Sequence, residues 1–298
     1  KTTSLASPLS SLDFVWVGGL RVFRIWLCWV YTSIDIRKDF SRLSTLDSRL
    51  LTGCGLEQKW LTYLCCHSDL GMKDIHGKAI LDYYKGNEEA TLLLHTSYGE
   101  PEEMPVEVFF RDEIDLSTLE HLALIECKGK TLDLGAGAGA HSLILQSRGF
   151  DVHALENSPG CIEVMQKSGV RHCIKQDFRT YHGEYDTILV LMNGLGLAAK
   201  LDKVPAFLNK CMSLLKPKGQ LLIDSSDISY LYEDIPRPKG YYGEVRYQYE
   251  YQEEKGDWFD WVYVNQKALR DIVSRTGLSV EILMTEETEQ YLARIVRN

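Results

Sequence analysis

From Lys130 onward the apolar and polar positions change period at regular intervals. Thr131–Leu134 reads as a buried strand, followed by a glycine-rich turn and a helical stretch through Arg148 that stops at Gly149. Asp151–Leu155 reads as a second strand. Ser158-Pro159 then opens a helix, with serine as cap and proline in the first turn, and Gly169 closes it. Arg171–Ile174 is a short third strand. Thr187–Leu191 is an unbroken apolar one, as expected where both faces of a strand are covered. Leu201, Val204, Phe207, Leu208, Cys211, Leu214 and Leu215 recur at helical spacing until Lys216-Pro217-Lys218-Gly219 stops them, and Gln220–Ile223 follows as a strand. Strands alternating with helices of this length predict the α/β class, with a doubly wound, mostly parallel sheet.

The last third breaks the alternation. Val245–Tyr251 and Trp258–Val264 flank Glu253-Glu254-Lys255-Gly256-Asp257 and read as a β-hairpin inserted at 226–264. In its first strand Val245, Tyr247, Tyr249 and Tyr251 alternate onto one face, which something must cover. Two coverings are open: the rest of the domain or a second subunit, or a pocket for a substrate, with Tyr241 and Tyr242 between Gly240 and Gly243 as its mobile edge. A helix over about Gln266 to Thr276 follows, with Asn265 as cap and Gly277 as stop. Val280–Met284 and Tyr291–Val296 then read as an adjacent pair of strands, so that the last strand runs against the parallel sheet.

The first 71 residues differ from this pattern. They hold four of the six tryptophans and eight basic against six acidic residues, a net +2, whereas the remainder carries 25 basic and 36 acidic, a net −11. Phe14–Ile36 is the one stretch that suggests a membrane, but Arg21 and Arg24 interrupt it, and the uncharged run Ile25–Ile34 is too short to span a bilayer. No membrane association is expected. Regular patterning resumes at Met72-Lys73-Asp74-Ile75-His76. Residues 1–71 are therefore expected to be an extension outside the working domain. That domain then divides into a lid or cap at 72–129, a core at 130–225, the hairpin insertion at 226–264 and a closing helix and strands at 265–298.

Charge and cysteine content narrow the chemistry. A net charge of −9 without a Lys/Arg run argues against a nucleic-acid partner, since phosphate contacts need clustered cations. The eight cysteines form no C-x-x-C pair and the histidines are scattered singly, so no metal site is expected. Thiols in a chain of this length fit a reducing, cytoplasmic setting.

The chemistry concentrates in Leu132-Asp133-Leu134-Gly135-Ala136-Gly137-Ala138-Gly139-Ala140-His141. Glycines between a strand and a helix let the backbone approach a ligand, and the helix points its free N–H groups at the same place. Gly135, Gly137 and Ala140 also satisfy the dinucleotide pattern. Asp133 argues otherwise: a carboxylate at the strand end repels a pyrophosphate and attracts an ammonium group. Glu156 ends the next strand, where a carboxylate accepts hydrogen bonds from ribose hydroxyls. Asp177-Phe178 follows the third, an acid and an aromatic suited to an adenine. Each has a plainer reading, as a turn cap, a solvated acid or a core ring.

Together these residues resemble the class I S-adenosylmethionine-dependent methyltransferases. Asp133–Gly139 is similar to that family's first motif, Glu156 and Asp177 to the acids after its second and third strands, and Tyr185–Asn193 to its fourth-strand motif. Leu214–Ile223 resembles its turn into the fifth strand, with Lys218 where glycine is usual. The resemblance implies a Rossmann-like methyltransferase fold with a reversed last strand. It implies S-adenosyl-L-methionine as cofactor, held by Asp133, Gly135, Ala136, Gly137, Gly139, Glu156, Asn157, Asp177, Phe178, Met192 and Asn193. Arg111 is a candidate for the cofactor's carboxylate, against an ion pair with Glu113 or Asp115. Asn193 and Tyr242 are the candidates near the acceptor, Asn193 being equally a turn residue before Gly194. No Pro-Pro-Tyr/Phe run and no Pro-Cys pair follows the fourth strand, which directs the expectation to a small-molecule acceptor, with a homodimer open. A nicotinamide-dependent oxidoreductase and a non-catalytic cofactor-binding module are the alternatives.

Overall fold

The computed structural model describes residues 73–298. The expectations for residues 1–71, and for a domain start at Met72, lie outside the described residues. The strands are β1 (Thr91–Thr96), β2 (Glu102–Pro105), β3 (Thr131–Leu134), β4 (Val152–Glu156), β5 (Cys173–Lys175), β6 (Tyr185–Val190), β7 (Leu215–Ser226), β8 (Glu244–Tyr251), β9 (Glu254–Lys255), β10 (Phe259–Val262), β11 (Leu278–Thr285) and β12 (Gln290–Arg297). The helices are α1 (Ile75–Tyr84), α2 (Thr118–Glu126), α3 (Ala140–Ser147), α4 (Pro159–Ser168), α5 (Val204–Ser213) and α6 (Gln266–Val273).

Seven strands form the main sheet in the order β11-β12-β7-β6-β3-β4-β5. β7, β6, β3, β4 and β5 are parallel neighbours, and β12 runs antiparallel to both β7 and β11. This is the doubly wound, Rossmann-like arrangement with a reversed last strand. All four residues of β3 are buried, as a mid-sheet strand covered on both faces requires, Asp133 included. Local signals set the helix ends. Ser158 Oγ accepts from Cys161 N, Pro159 sits in the first turn of α4, and Gly169 closes it in the left-handed conformation. Asn265 Oδ1 caps α6 by accepting from Ala268 N.

One boundary differs from the sequence pattern. Lys216–Gly219 is not a turn between helix and strand, because β7 already begins at Leu215. Its pairing with β6 shifts register between Tyr185 and Thr187, and the irregularity accommodates Pro217, which has no N–H to give.

The larger difference concerns the hairpin. β8 and β10 do pair antiparallel, but β8 also pairs with β1, and β1 with β2, so the insertion belongs to a second, five-stranded antiparallel sheet. Two of its five strands come from the segment 91–105, which has no strong alternation of its own. Val245, Tyr247, Tyr249 and Tyr251 are all buried, and the covering is the domain itself. Tyr249 packs on His76 of α1, and Trp261 lies over Gly196 in the 3-10 turn after β6. The small sheet thus roofs the carboxyl ends of the parallel strands.

A Cβ at Gly196 would overlap the Trp261 indole. Gly196→Ala is expected to cost about 1–3 kcal/mol by overpacking, measured by denaturant unfolding. An unchanged midpoint would mean that the roof does not bear on this turn.

Candidate functional site

The glycine turn after β3 carries positive φ at Gly135, Gly137 and Gly139, at 77°, 56° and 90°. Side chains rarely adopt these angles, so the tight turn depends on glycine. Beside it lies a cleft of about 350 Å³, counting its open mouth, lined by Val108, Phe109, Arg111, Asp133, the 135–138 backbone, Ala140, His141, Leu191 and Met192. Its floor is the carboxyl end of β3.

Glu156, at the end of β4, reaches across to this turn. Its Oε2 accepts from Gly137 N at 3.0 Å, and its Oε1 from Asn157 N at 2.7 Å and Ser158 N at 3.0 Å. Burial pushes its pKa up to about 7, against the lowering effect of those three N–H groups. A carboxylate has about four acceptor positions, so room for one further donor remains. Asp133 is 3% exposed and accepts from Ser142 Oγ at 2.7 Å. Burial raises its pKa as well, and the nearby His141 opposes this.

The cations of the cleft are joined through one acid. Arg111 donates to both oxygens of Glu120, at 2.8 and 2.6 Å, and His141 Nε2 lies 2.9 Å from Glu120 Oε1. Burial would raise Glu120, but His141 and then Arg111 hold it well below the usual carboxylate range. Burial likewise opposes charge on His141, and Glu120 overrides it, raising the imidazole pKa. Arg111 therefore pairs with neither Glu113 nor Asp115. Its guanidinium is oriented by Glu120 while lining the cleft. Glu120 and His141 were not singled out from sequence, although Ser117-x-x-Glu120 is a capping-box signature and His141 opens α3.

After β6, Met192 and Asn193 both take left-handed backbone, with φ of 62° and 59°. Such strain in ordinary residues costs roughly 1–3 kcal/mol each and collects at functional sites. It is held by Asp224, fully buried in β7, which accepts from Asn193 N at 3.0 Å and Gly194 N at 2.9 Å, and from Gln290 Nε2 at 2.7 Å. Burial lifts Asp224 to about 6. Asp224 was missed in sequence, where its position at a strand end was the only signal. The turn reading of Asn193 is the one this geometry realises: its Oδ1 accepts from Ser226 Oγ at 2.6 Å and the residue is 2% exposed. Met192 contributes its side to the cleft wall.

Three expectations change. Phe178 is 7% exposed and meets Phe207 edge-on in the core, which is its plainer reading. Asp177 is engaged by Arg179, whose Nε and Nη2 both donate to it, so an adenine contact would have to share this carboxylate. Tyr242 is not a mobile edge. Its hydroxyl donates to Asp227 Oδ1 at 2.7 Å and accepts from Asn265 Nδ2 at 2.6 Å, tying the loop before β8 to the start of α6. Flanking glycines had suggested mobility, but they say nothing of the hydroxyl's partners.

Comparison with known proteins agrees with this arrangement. A family model described as a methyltransferase domain matches residues 109–282. A crystal structure of an S-adenosylmethionine-dependent methyltransferase from Bacteroides fragilis, in complex with S-adenosyl-L-homocysteine, is 34% identical with a TM-score of 0.70, covering 76% of this chain and 96% of that one. The YqeM protein of Bacillus subtilis, assigned to the methyltransferases, is 30% identical over 105 residues, 33% of this chain and 42% of that protein's length.

Removing Glu120 leaves the Arg111 and His141 cations without their shared acid. Glu120→Ala is expected to destabilise the fold by about 3–5 kcal/mol. Because Glu120 is depressed in the fold, its contribution is present at neutral pH and lost as pH falls through the acid range. Chemical denaturation at several pH values reads both; a wild-type acid dependence retained in the variant would exclude this acid as its source.

Proposed function

The chain belongs to the S-adenosylmethionine-dependent methyltransferases, and from that premise we propose that it transfers the cofactor's methyl group to a small molecule held in the cleft beside the glycine turn. The observation that carries this reading is the charge pattern around that turn. Two buried carboxylates, Asp133 and Glu156, flank it, and the cations Arg111 and His141 lie on one wall. A nicotinamide dinucleotide would bring its pyrophosphate against those carboxylates, which disfavours an oxidoreductase.

The donor set fits S-adenosylmethionine end by end. Asp133 would accept from the ammonium group of the amino-acid portion, and Arg111 with His141 would hold its carboxylate. Gly135, Ala136, Gly137 and Gly139 would give the close backbone approach, and the remaining acceptor position of Glu156 would take a ribose hydroxyl. Asn157 acts by holding Glu156 through its own N–H. When bound, the cofactor supplies an activated methyl on a sulfonium centre. Leu191 and Met192 provide an apolar wall, so that exclusion of water and alignment of acceptor with methyl supply the rate. The roof formed by the small sheet restricts what can approach, which supports a small acceptor over a polymer. Among the described residues Cys127, Cys173 and Cys211 form no disulfide, which supports a reducing setting, the cytoplasm. Among the described residues no helix is long and apolar enough to cross a membrane.

Calorimetric titration with S-adenosylmethionine, S-adenosylhomocysteine and NAD tests the reading, which fails if NAD is the ligand preferred. Glu156→Ala is expected to weaken S-adenosylmethionine binding by about 1.5–3 kcal/mol. The hydroxyl contact needs the ionised acid. In the empty protein Glu156 is raised to about 7, so its protonated form stabilises the fold below the usual carboxylate range, and that contribution is lost as pH rises through about 7. Cofactor affinity is therefore expected to climb between about pH 6 and 8 and then level off, with no such climb in the variant. The chain from Met72 onward is expected to unfold cooperatively and bind the cofactor as the full chain does; loss of either would place residues 1–71 inside the domain.

A further inference from the structure

The end of the main sheet away from the cleft carries a cluster that the methyl-transfer site does not use. Asp151 immediately precedes β4, His153 is its second residue, and His172 immediately precedes β5. Residues two apart on a strand share a face, so Asp151 and His153 point the same way. The parallel register, in which Ala154 lies opposite Cys173, sets His172 beside His153. Ala154 N donates to His172 O at 2.8 Å, so backbone pairing fixes the two positions. One ligand atom from each residue falls within 4.8 Å of the others. His153 Nε2 and His172 Nε2 lie 3.5 and 3.9 Å from Asp151 Oδ1, close to the separation of about 3.4 Å between donors around a tetrahedral ion with bonds of about 2.0–2.1 Å.

We propose that Asp151, His153 and His172 bind a divalent first-row metal ion of the zinc type, which clips the short edge strand β5 to β4. Two imidazoles and a carboxylate are a donor set suited to such an ion, and three protein ligands leave one position for water. The ring of His153 is already oriented from behind: its Nδ1 lies 3.1 Å from Tyr185 Oη, and Tyr185 in turn bonds the Tyr181 hydroxyl. Outer partners of this kind fix the ligating tautomer and place Nε2 on the metal side. Lys130, whose charge reaches His153, repels a cation, and the Asp151 carboxylate offsets it. Asp151 and His172 are exposed and border an open groove with Gln146, Gly149 and Phe150, which gives an ion its path in. The cluster sits at the amino ends of the strands, whereas the cleft sits at their carboxyl ends. The ion therefore acts on the stability of the edge strand and takes no part in methyl transfer.

Titration of the full chain with Zn2+ against a chromophoric chelator, paired with thermal unfolding, tests this. One equivalent is expected to bind the wild type and to raise its Tm by mass action. His172→Ala and Asp151→Asn, both at exposed positions, are expected to weaken that equivalent at least about tenfold and to abolish the rise in Tm, with the metal-free Tm unchanged. Tyr185→Phe keeps the ring and removes the outer hydroxyl, and is expected to weaken binding about tenfold. Equal stoichiometry and affinity in the wild type and in both ligand variants would overturn the proposal, whether zinc is then held by thiols elsewhere or not at all.

Discussion

Much of the architecture hangs on the buried carboxylate of Glu156. It closes the end of β4 against the glycine turn by taking the N–H groups of Gly137, Asn157 and Ser158. A charge in that position is costly, and the three donors offset only part of the cost, which is why its pKa stands near 7. The bonds nevertheless place two ligand-facing segments in one fixed relation. The chain of contacts continues outward. Ser158 Oγ donates to Asp74, which also takes the N–H of Gly160 and caps α1 through Gly77. Gly77 and Gly160 let the two helices touch backbone to backbone, because a Cβ at Gly160 would enter Gly77.

Helix α1 in turn carries the small sheet, and the small sheet reaches back over the turn after β6. A route of contacts therefore runs from Glu156 through Ser158, Asp74, α1 and β8 to Trp261 and Gly196. On the far side Asp224 repeats the logic of Glu156: a buried acid at a strand end gathers backbone N–H groups and holds a strained turn. The two acids sit at the ends of β4 and β7, with β3 and β6 between them. Ligand-facing backbone in this protein is thus positioned chiefly by buried carboxylates, and the side chains that line the cleft are set in place afterwards.

Polar groups near the cleft share partners. Arg111, His141 and the Ser117 N–H all converge on Glu120. A shared acid keeps both cations in fixed positions at low cost in side-chain freedom, and leaves their outer faces toward the cleft. The same economy appears at Tyr242, whose hydroxyl connects Asp227 with the cap residue of α6. A residue chosen from sequence for mobility proved to be a fastener.

The helices and strands of the core were legible because their causes are local. Apolar period, a serine cap with proline behind it, and a glycine where φ must be positive each act over a few residues, and they located β3, α4 and the reversed last strand within a residue or two, and α6 with an end three residues too long. The glycine turn and the acids at the strand ends were legible for the same reason, since successive strand ends converge in any parallel sheet. Partner choice was not. Arg111 chose Glu120, nine residues away, over nearer acids; Phe178 took Phe207 as a neighbour; β8 took β1 as a neighbour across more than a hundred residues. His153 and His172 looked solitary in the chain and became neighbours only through strand register. Each of these pairings is selected by which surfaces meet when the sheets pack, a contest among distant segments that local spacing does not encode. The sequence by itself determined the elements from Lys130 onward, the class of fold and the ligand-binding end of the sheet. Only tertiary structure decided which charges meet there, and what covers them.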